Sequence, residues 1–284
     1  MRRAIRWTCA LWLALAWLPA RADGVLFYQP LNVDAGLDAG TWKAMLDQAR
    51  AAGTRTLIVQ WTRHADSDFG GAEGWLLQRL REAQADGLQL VLGLSYDPAY
   101  YRTMADARAV TMAWYQWLAD AQRQHRWLRE HGRLAPVGWY LPLELDDRLF
   151  ADPALRSTLA RQLEQFRAQL DAPLHLSAFS AGVLTPRQYA SWLDQLPVDQ
   201  VWWQDGRGTR ALAPEVLDAY RGALSCRIGI VNEAFEQISQ NTQDFSARPR
   251  PPADDAGCHP RAVFSLRYRP WGAPLLERLR SGGR

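Results

Sequence analysis

Beyond the first two dozen residues, no stretch of this 284-residue chain is apolar enough over enough length to cross a bilayer. Histidine is sparse. His64, His125, His131, His175 and His259 lie scattered, without HExxH or HxH spacing, which argues against a zinc hydrolase and leaves no metal expected. A G-x-S-x-G elbow, a Walker loop and a glycine-rich turn after the first strand-like run are all missing, so serine hydrolases, P-loop enzymes and dinucleotide folds lack their signatures. Gly206 and Gly208, in Asp205-Gly206-Arg207-Gly208, read as a turn and not as a phosphate cradle. Charge of one sign is missing too. The formal net charge of +3 includes Arg2, Arg3 and Arg6, so the rest is close to neutral, without the clustered basic face that nucleic acid requires. No organic cofactor and no nucleic-acid partner is expected.

What is present begins with a leader. Arg2, Arg3 and Arg6 precede an apolar run from Trp7 to Leu18, and Ala20-Arg21-Ala22 supplies a small-x-small cleavage site. Residues 1–22 read as a signal peptide, with the mature chain starting at Asp23 and one domain over 23–284. An uncleaved anchor is the competing reading. Cys9 lies too early in the run for a lipoprotein site. The expected destination is the periplasm or beyond, with no stable membrane insertion after cleavage. Two cysteines then remain, Cys226 and Cys258, and an oxidising compartment makes a disulfide their simplest state.

Strand-like runs alternate with helical patterns from end to end, the signature of repeated βα units. The runs are Val25–Tyr28, Thr56–Trp61, Leu88–Leu94, Val137–Leu143, Leu174–Phe179, Gln200–Trp203, Arg227–Val231 and Ala262–Leu266. Pro142 suggests that the fourth ladder ends there. Between the runs, Trp42, Met45, Leu46 and Ala49 make one helical stripe, and Val110, Trp114, Trp117, Leu118, Ala121 and Leu128 hold a longer one as packing residues. Leu155 to Leu170, Pro186 to Leu193 and Pro214 to Tyr220 read as further helices, with Leu275, Leu276 and Leu279 on a terminal one. Only the connection from Ala234 to Gly257 lacks a clear helical pattern. Eight evenly spaced strands predict a (β/α)8 TIM barrel, an α/β fold. Cys226 and Cys258 then fall on its bottom face, where a bridge would tie down the irregular crossover.

Active sites in this fold form at the C-terminal ends of the strands. The polar and aromatic residues there are Tyr28 and Gln29, Gln60 and Trp61, Ser95, Tyr96 and Asp97, Glu144, Asp146 and Asp147. Ser177 and Ser180, Gln204 and Asp205, Asn232 and Glu233, and Tyr268 and Trp271 complete the set. Carboxylates and amides among aromatic rings describe a sugar site: one carboxylic acid protonates the leaving oxygen, and a second carboxylate attacks or activates water. Trp61, Tyr96, Trp203 and Trp271 are candidate ring platforms, with Tyr28, Gln29, Gln60, Gln204 and Asn232 as further binding residues. Glu144 and Glu233, at the ends of strands four and seven, are the candidate catalytic pair, and Asp205 is the rival second carboxylate. Each has a plainer alternative. Glu144 could pair with an arginine, Glu233 could open a short helix, and Asp205 could make a turn. Asp146 and Asp147 read as caps for the segment that follows.

This placement resembles the retaining barrel glycosidases whose acid/base Glu follows strand four and whose nucleophile Glu follows strand seven. By that resemblance Glu144 would be the acid/base and Glu233 the nucleophile. Leu143 stands where that clan usually has Asn before the strand-four Glu. Trp139-Tyr140 through Glu144-Leu145-Asp146-Asp147, Val201-Trp202-Trp203-Gln204-Asp205-Gly206 and Asn232-Glu233-Ala234-Phe235 further resemble an uncharacterised family of exported bacterial barrels classed with glycoside hydrolases. The resemblance spans nearly the whole mature chain. It implies hydrolysis of a bacterial polysaccharide or exopolysaccharide, with a carbohydrate polymer as the partner. A non-catalytic polysaccharide-binding barrel would use the same amides and aromatics. A deacetylase or esterase is disfavoured by the missing metal triad and serine elbow.

Overall fold

The structure, a computed structural model, describes residues 24–239, 245–253 and 257–282. The leader expected at 1–22 lies outside the described residues. Eight parallel strands close into a barrel: β1 (Val25–Tyr28), β2 (Thr56–Val59), β3 (Gln89–Gly93), β4 (Gly138–Asp146), β5 (Leu174–Phe179), β6 (Gln200–Gln204), β7 (Gly229–Glu233) and β8 (Arg261–Phe264). Each pairs with its neighbour in chain order, and β8 pairs back to β1. This is the expected TIM barrel. Helices α1 (Ala39–Ala51), α2 (Trp75–Ala85), α3 (Tyr100–Met104), α4 (Ala107–His131), α5 (Pro153–Arg167), α6 (Pro186–Asp194), α7 (Pro214–Ala223) and α8 (Ala273–Gly282) surround it. Among the described residues no helix is long and apolar enough to cross a membrane.

Local chemistry sets the helix ends. The Asp38 carboxylate accepts from Thr41 N at 2.9 Å to open α1. Asp152, followed by Pro153, does the same for α5, and Thr185 with Gln188 forms a capping box on α6. Gly87, at φ +94°, takes the left-handed position after α2 that a side chain would disfavour. Trp42, Met45, Leu46 and Ala49 on α1, and Trp114, Trp117, Leu118 and Ala121 on α4, are buried against the outer face of the barrel. Leu275 and Leu276 are buried on α8, whereas Leu279 is exposed and closes nothing.

Two stretches depart from the sequence reading. Strand β4 does not stop at Pro142: it runs to Asp146, and its register with β5 jumps from Leu141↔Leu176 to Glu144↔Ser177. The bulge takes Pro142 and Leu143 out of the ladder, so the missing proline N–H costs no pairing and the strand carries on. The β7–β8 connection forms an antiparallel pair, Phe235–Gln237 against Ala247–Pro249. Cys226 and Cys258 are bonded before β7 and β8 respectively, at the bottom of the barrel.

Strand alternation fixes what the barrel encloses. Phe27, Ile58, Val91, Tyr140, Trp202, Val231 and Ala262 form one buried cluster in the lumen, and the Tyr140 hydroxyl meets Ser177 Oγ at 2.7 Å. Leu26, Tyr28, Leu57, Val59, Leu90, Leu92, Trp203 and Ile230 belong to the other cluster, packed under the helices.

Candidate functional site

Because side chains alternate with period two, the lumen positions one layer above that cluster follow from the register. They are Gln29, Gln60, Gly93, Glu144, Phe179, Gln204, Glu233 and Phe264. The top of the barrel thus carries three glutamines and two glutamates on five strands. At Gly93 the backbone of Gln60 takes the place of a side chain: a Cβ there would stand 2.2 Å from Gln60 O.

Glu144 is the best-defined chemical group in this layer. One carboxylate oxygen, Oε2, accepts from the Tyr101 hydroxyl at 2.5 Å, and Oε1 accepts from the Gln204 side-chain amide. Its backbone carbonyl accepts from the Tyr100 hydroxyl. Among the described residues it makes no ion pair with an arginine or any other cation. Burial pushes its carboxyl above the ordinary glutamate value, the bonds from Tyr101 and Gln204 work against that rise, and Asp146 adds to it. A desolvated carboxylic acid at a strand end is what a general acid requires.

Beside it lies an aromatic wall. Trp61 and Tyr96 stack with ring centroids 4.9 Å apart at an interplanar angle of 17°, and the His64 ring lies 4.9 Å from Trp61 and 5.3 Å from Tyr96. The indole N–H of Trp61 donates to Pro30 O at 2.9 Å, and its ring is buried. Trp61 therefore backs the stack, and the part-buried Tyr96 presents the outer face. A parallel pairing of Arg63–His64 with Ser95–Tyr96 fixes the two loops to each other.

Glu233 ends β7 rather than opening a helix. Its Oε2 accepts from Gly208 N at 2.6 Å and Thr209 N at 2.8 Å, with the Thr209 hydroxyl at 3.3 Å. The glycine turn between β6 and α7 does close round an acceptor group, and that group is a carboxyl side chain of the protein itself. Gly208 is needed there, since a Cβ would stand 2.3 Å from Phe235 O and 2.9 Å from Glu233 Oε2. Burial, then the nearby charge of Asp205, push the Glu233 carboxyl up to about 8 despite the donors from the turn.

Four sequence candidates fall on the wrong side of their strands. Tyr28 and Trp203, each 1% exposed, pack beneath the helices, Tyr28 against Trp42 at 5.4 Å. The expectation that they touch substrate is corrected: they are packing residues. Asn232 and Asp205, each 2% exposed, join side chain to side chain at 3.2 Å, and Asp205 also accepts from Arg207 N and Glu233 N. Asp205 is thus an anchor for the turn, as its plainer reading had it, and not an open second carboxylate. Trp271 is part-buried, with the Arg269 guanidinium 4.8 Å from its ring. Asp146 caps the next segment through Arg148 N and Leu149 N, whereas Asp147 reaches across to Ala181, Val183 and Leu184 N.

Sequence reasoning missed Tyr100, Tyr101, His64 and Thr209. All sit in loops or in the short α3, where no periodicity marks them, although the adjacent Tyr100-Tyr101 pair just past a strand end was a visible signal. Among the described residues no group of three or more His, Cys, Asp or Glu side chains is arranged to hold a metal ion.

Similarity to known proteins agrees with this architecture. A Bacteroides thetaiotaomicron VPI-5482 protein described as a "putative alpha-L-fucosidase" superposes with a TM-score of 0.61 over 99% of this chain and 98% of its own, at 14% identity, a likeness of fold. The "Uncharacterized protein YbcH" of Escherichia coli (strain K12) is 30% identical over 275 residues, which cover 89% of this chain and 92% of that protein. The family model for "Domain of unknown function (DUF4434)" matches residues 23–258, and the chain belongs to that family.

Proposed function

We propose that this protein is a glycoside hydrolase acting on a bacterial polysaccharide or exopolysaccharide, with Glu144 as general acid. The observation that carries the reading is Glu144 itself: a desolvated carboxyl at the end of β4, without an ion pair among the described residues and flanked by an amide and a phenol. Gln60 and Gln204 suit the reading of sugar hydroxyls, and the Tyr96 face backed by Trp61 suits stacking on a pyranose ring. Glu233 is the second carboxylate of the mechanism, nucleophile in a retaining enzyme or base in an inverting one. The fold likeness to a protein described as a "putative alpha-L-fucosidase" supports the class. No cofactor is required.

The test is release of reducing ends from bacterial exopolysaccharides by the wild type, Glu144→Gln and Glu233→Gln. Loss of activity by orders of magnitude in both variants supports the mechanism; full activity in either removes that residue from it.

One observation favours a non-catalytic polysaccharide-binding barrel instead. At about 8, the Glu233 carboxyl holds its proton at neutral pH, and a neutral acid is no nucleophile. Glycan binding without turnover, unchanged in both Gln variants, would select this second reading.

We also propose that the protein works in the periplasm or outside the cell. The Cys226–Cys258 bond supports an oxidising compartment. N-terminal sequencing of the exported protein should begin at Asp23.

A further inference from the structure

The two oxygens of Glu144 are not equivalent. Gln204 presents its amide nitrogen to Oε1, and an amide N–H can donate but cannot accept. A proton on Oε1 would meet that donor head on. The partner of Oε2 is the Tyr101 hydroxyl at 2.5 Å, and a phenol turns from donor to acceptor by rotating one bond. Tyr100 and Tyr101 are neighbours in sequence with different freedom. Tyr100 is 1% exposed and donates to the Glu144 backbone carbonyl, while Tyr101 is 53% exposed, with its hydroxyl on the carboxylate and its ring edge-on to that of Tyr100 at 5.2 Å. In moving toward solvent the Tyr101 ring gives up that edge contact, while Tyr100 stays in the core.

We propose that Tyr101 is the positioning residue of this site: with Gln204 it confines the acid proton of Glu144 to Oε2, and its phenol oxygen holds the place that a leaving-group oxygen takes. The inference rests on the glycoside hydrolase reading for its last step. In that step Tyr101 swings out and the glycosidic oxygen comes within reach of Oε2. The proton passes from Oε2 to that oxygen as its bond to the anomeric carbon breaks, and the bonding pair stays on the oxygen. The anomeric carbon is taken by Glu233 or by a water that Glu233 activates. Glu144 is left as a carboxylate, and Tyr101 returns to donate to it.

Few other charges complicate the titration of Glu144. The groups facing it are Asp146 on its own strand, Tyr96 from the loop after β3, Tyr100 and Tyr101 from α3, and Tyr140 from below. All four phenols are raised and stay neutral through the range in question, burial being the chief cause for each. Among the described residues Asp146 is the neighbouring charge that acts on Glu144, and a change at Tyr101 leaves it in place.

The experiment is an infrared titration of the full-length protein without substrate, with Glu144 identified by the band that Glu144→Gln removes. Tyr101→Phe keeps the ring and deletes the donor. Loss of a hydrogen bond to the charged form should raise the Glu144 midpoint by on the order of one pH unit. Where the enzyme turns over a glycan, the alkaline limb of kcat/KM should move up with it, since that limb reports the acid of the free enzyme. A midpoint that stays put or falls overturns the proposal, whatever happens to activity. A raised midpoint in a protein that cleaves no glycan keeps the proton assignment and sinks the hydrolase reading, so the two failures are distinct. Tyr101→Met, which removes the ring as well, should give the same direction of shift and guards against misfolding of a single variant.

Discussion

Two desolvated carboxylates at the top of the barrel, Asp34 fully buried and Glu144 part-buried, meet opposite fates. On the β1/β8 side, Asp34 is 0% exposed and takes the Arg267 guanidinium on both oxygens, at 3.0 and 2.8 Å, plus the Tyr28 hydroxyl and Leu31 N. Arg267 also donates to Leu275 O, so the cluster clasps the loop after β1 to the start of α8. On the β4/β6 side, Glu144 is desolvated, and its donors among the described residues, Tyr101 and Gln204, are neutral. Burial costs both groups their hydration. The first is repaid by a full countercharge, which makes it structural. The second keeps a raised tendency to hold a proton, which makes it chemical.

Breaking each side should therefore damage a different property. The largest effect is expected from Glu144→Gln: a fall in turnover of roughly 10² to 10⁴-fold, typical of a lost general acid, with thermal unfolding unchanged or slightly later. A variant that loses activity together with stability would erase the contrast. Next comes Arg267→Met, which strands Asp34 without its partner. It should cost about 3–5 kcal/mol of unfolding free energy in denaturant titration, and adding Asp34→Asn should recover most of it. The Glu144 infrared band should not move in that pair.

A third comparison sets the top of the barrel against the bottom. Replacing both Cys226 and Cys258 by Ser opens a loop of 32 residues in sequence separation, and should lower stability by about 3–4 kcal/mol while leaving glycan binding unchanged. Weakened binding would mean that the irregular crossover above the bridge reaches the site.

The last comparison concerns pH. The Glu233 carboxyl is raised in the folded protein to about 8 from an ordinary 4.5. Its contribution to stability is fully present below the unfolded value, is lost as pH rises, and is gone above the folded value. Denaturation midpoints of the wild type should thus decline between about pH 4.5 and 8 more steeply than those of Glu233→Gln. Parallel curves would show that the carboxyl titrates normally and would restore Glu233 as an ionised nucleophile at neutral pH.

The sequence reading of the site erred in a single consistent way. It took residues at strand ends in consecutive pairs, Tyr28 with Gln29, Trp203 with Gln204, Asn232 with Glu233. Only one member of each pair enters the lumen, because adjacent residues on a strand face opposite sides. The parity was readable from the buried runs only once the lumen layer was known, and Leu- and Val-rich strands buried on both faces hide it. Glu144 was the harder case. Counting by twos from Tyr140 leads to Pro142, and only the bulge at Pro142 and Leu143 brings Glu144 level with Ser177.

By itself, the sequence determined the alternation of strands and helices, the barrel and its closing order, the pairing of the two cysteines and the end of the barrel where polar groups gather. Those features depend on local periodicity and on backbone chirality, which each segment carries alone. Tertiary structure decided which carboxylate keeps a countercharge, which tyrosine reaches Glu144, and that the Gly206–Gly208 turn holds Glu233. Desolvation and hydrogen-bond partners come from segments tens to hundreds of residues apart, and no local pattern encodes them.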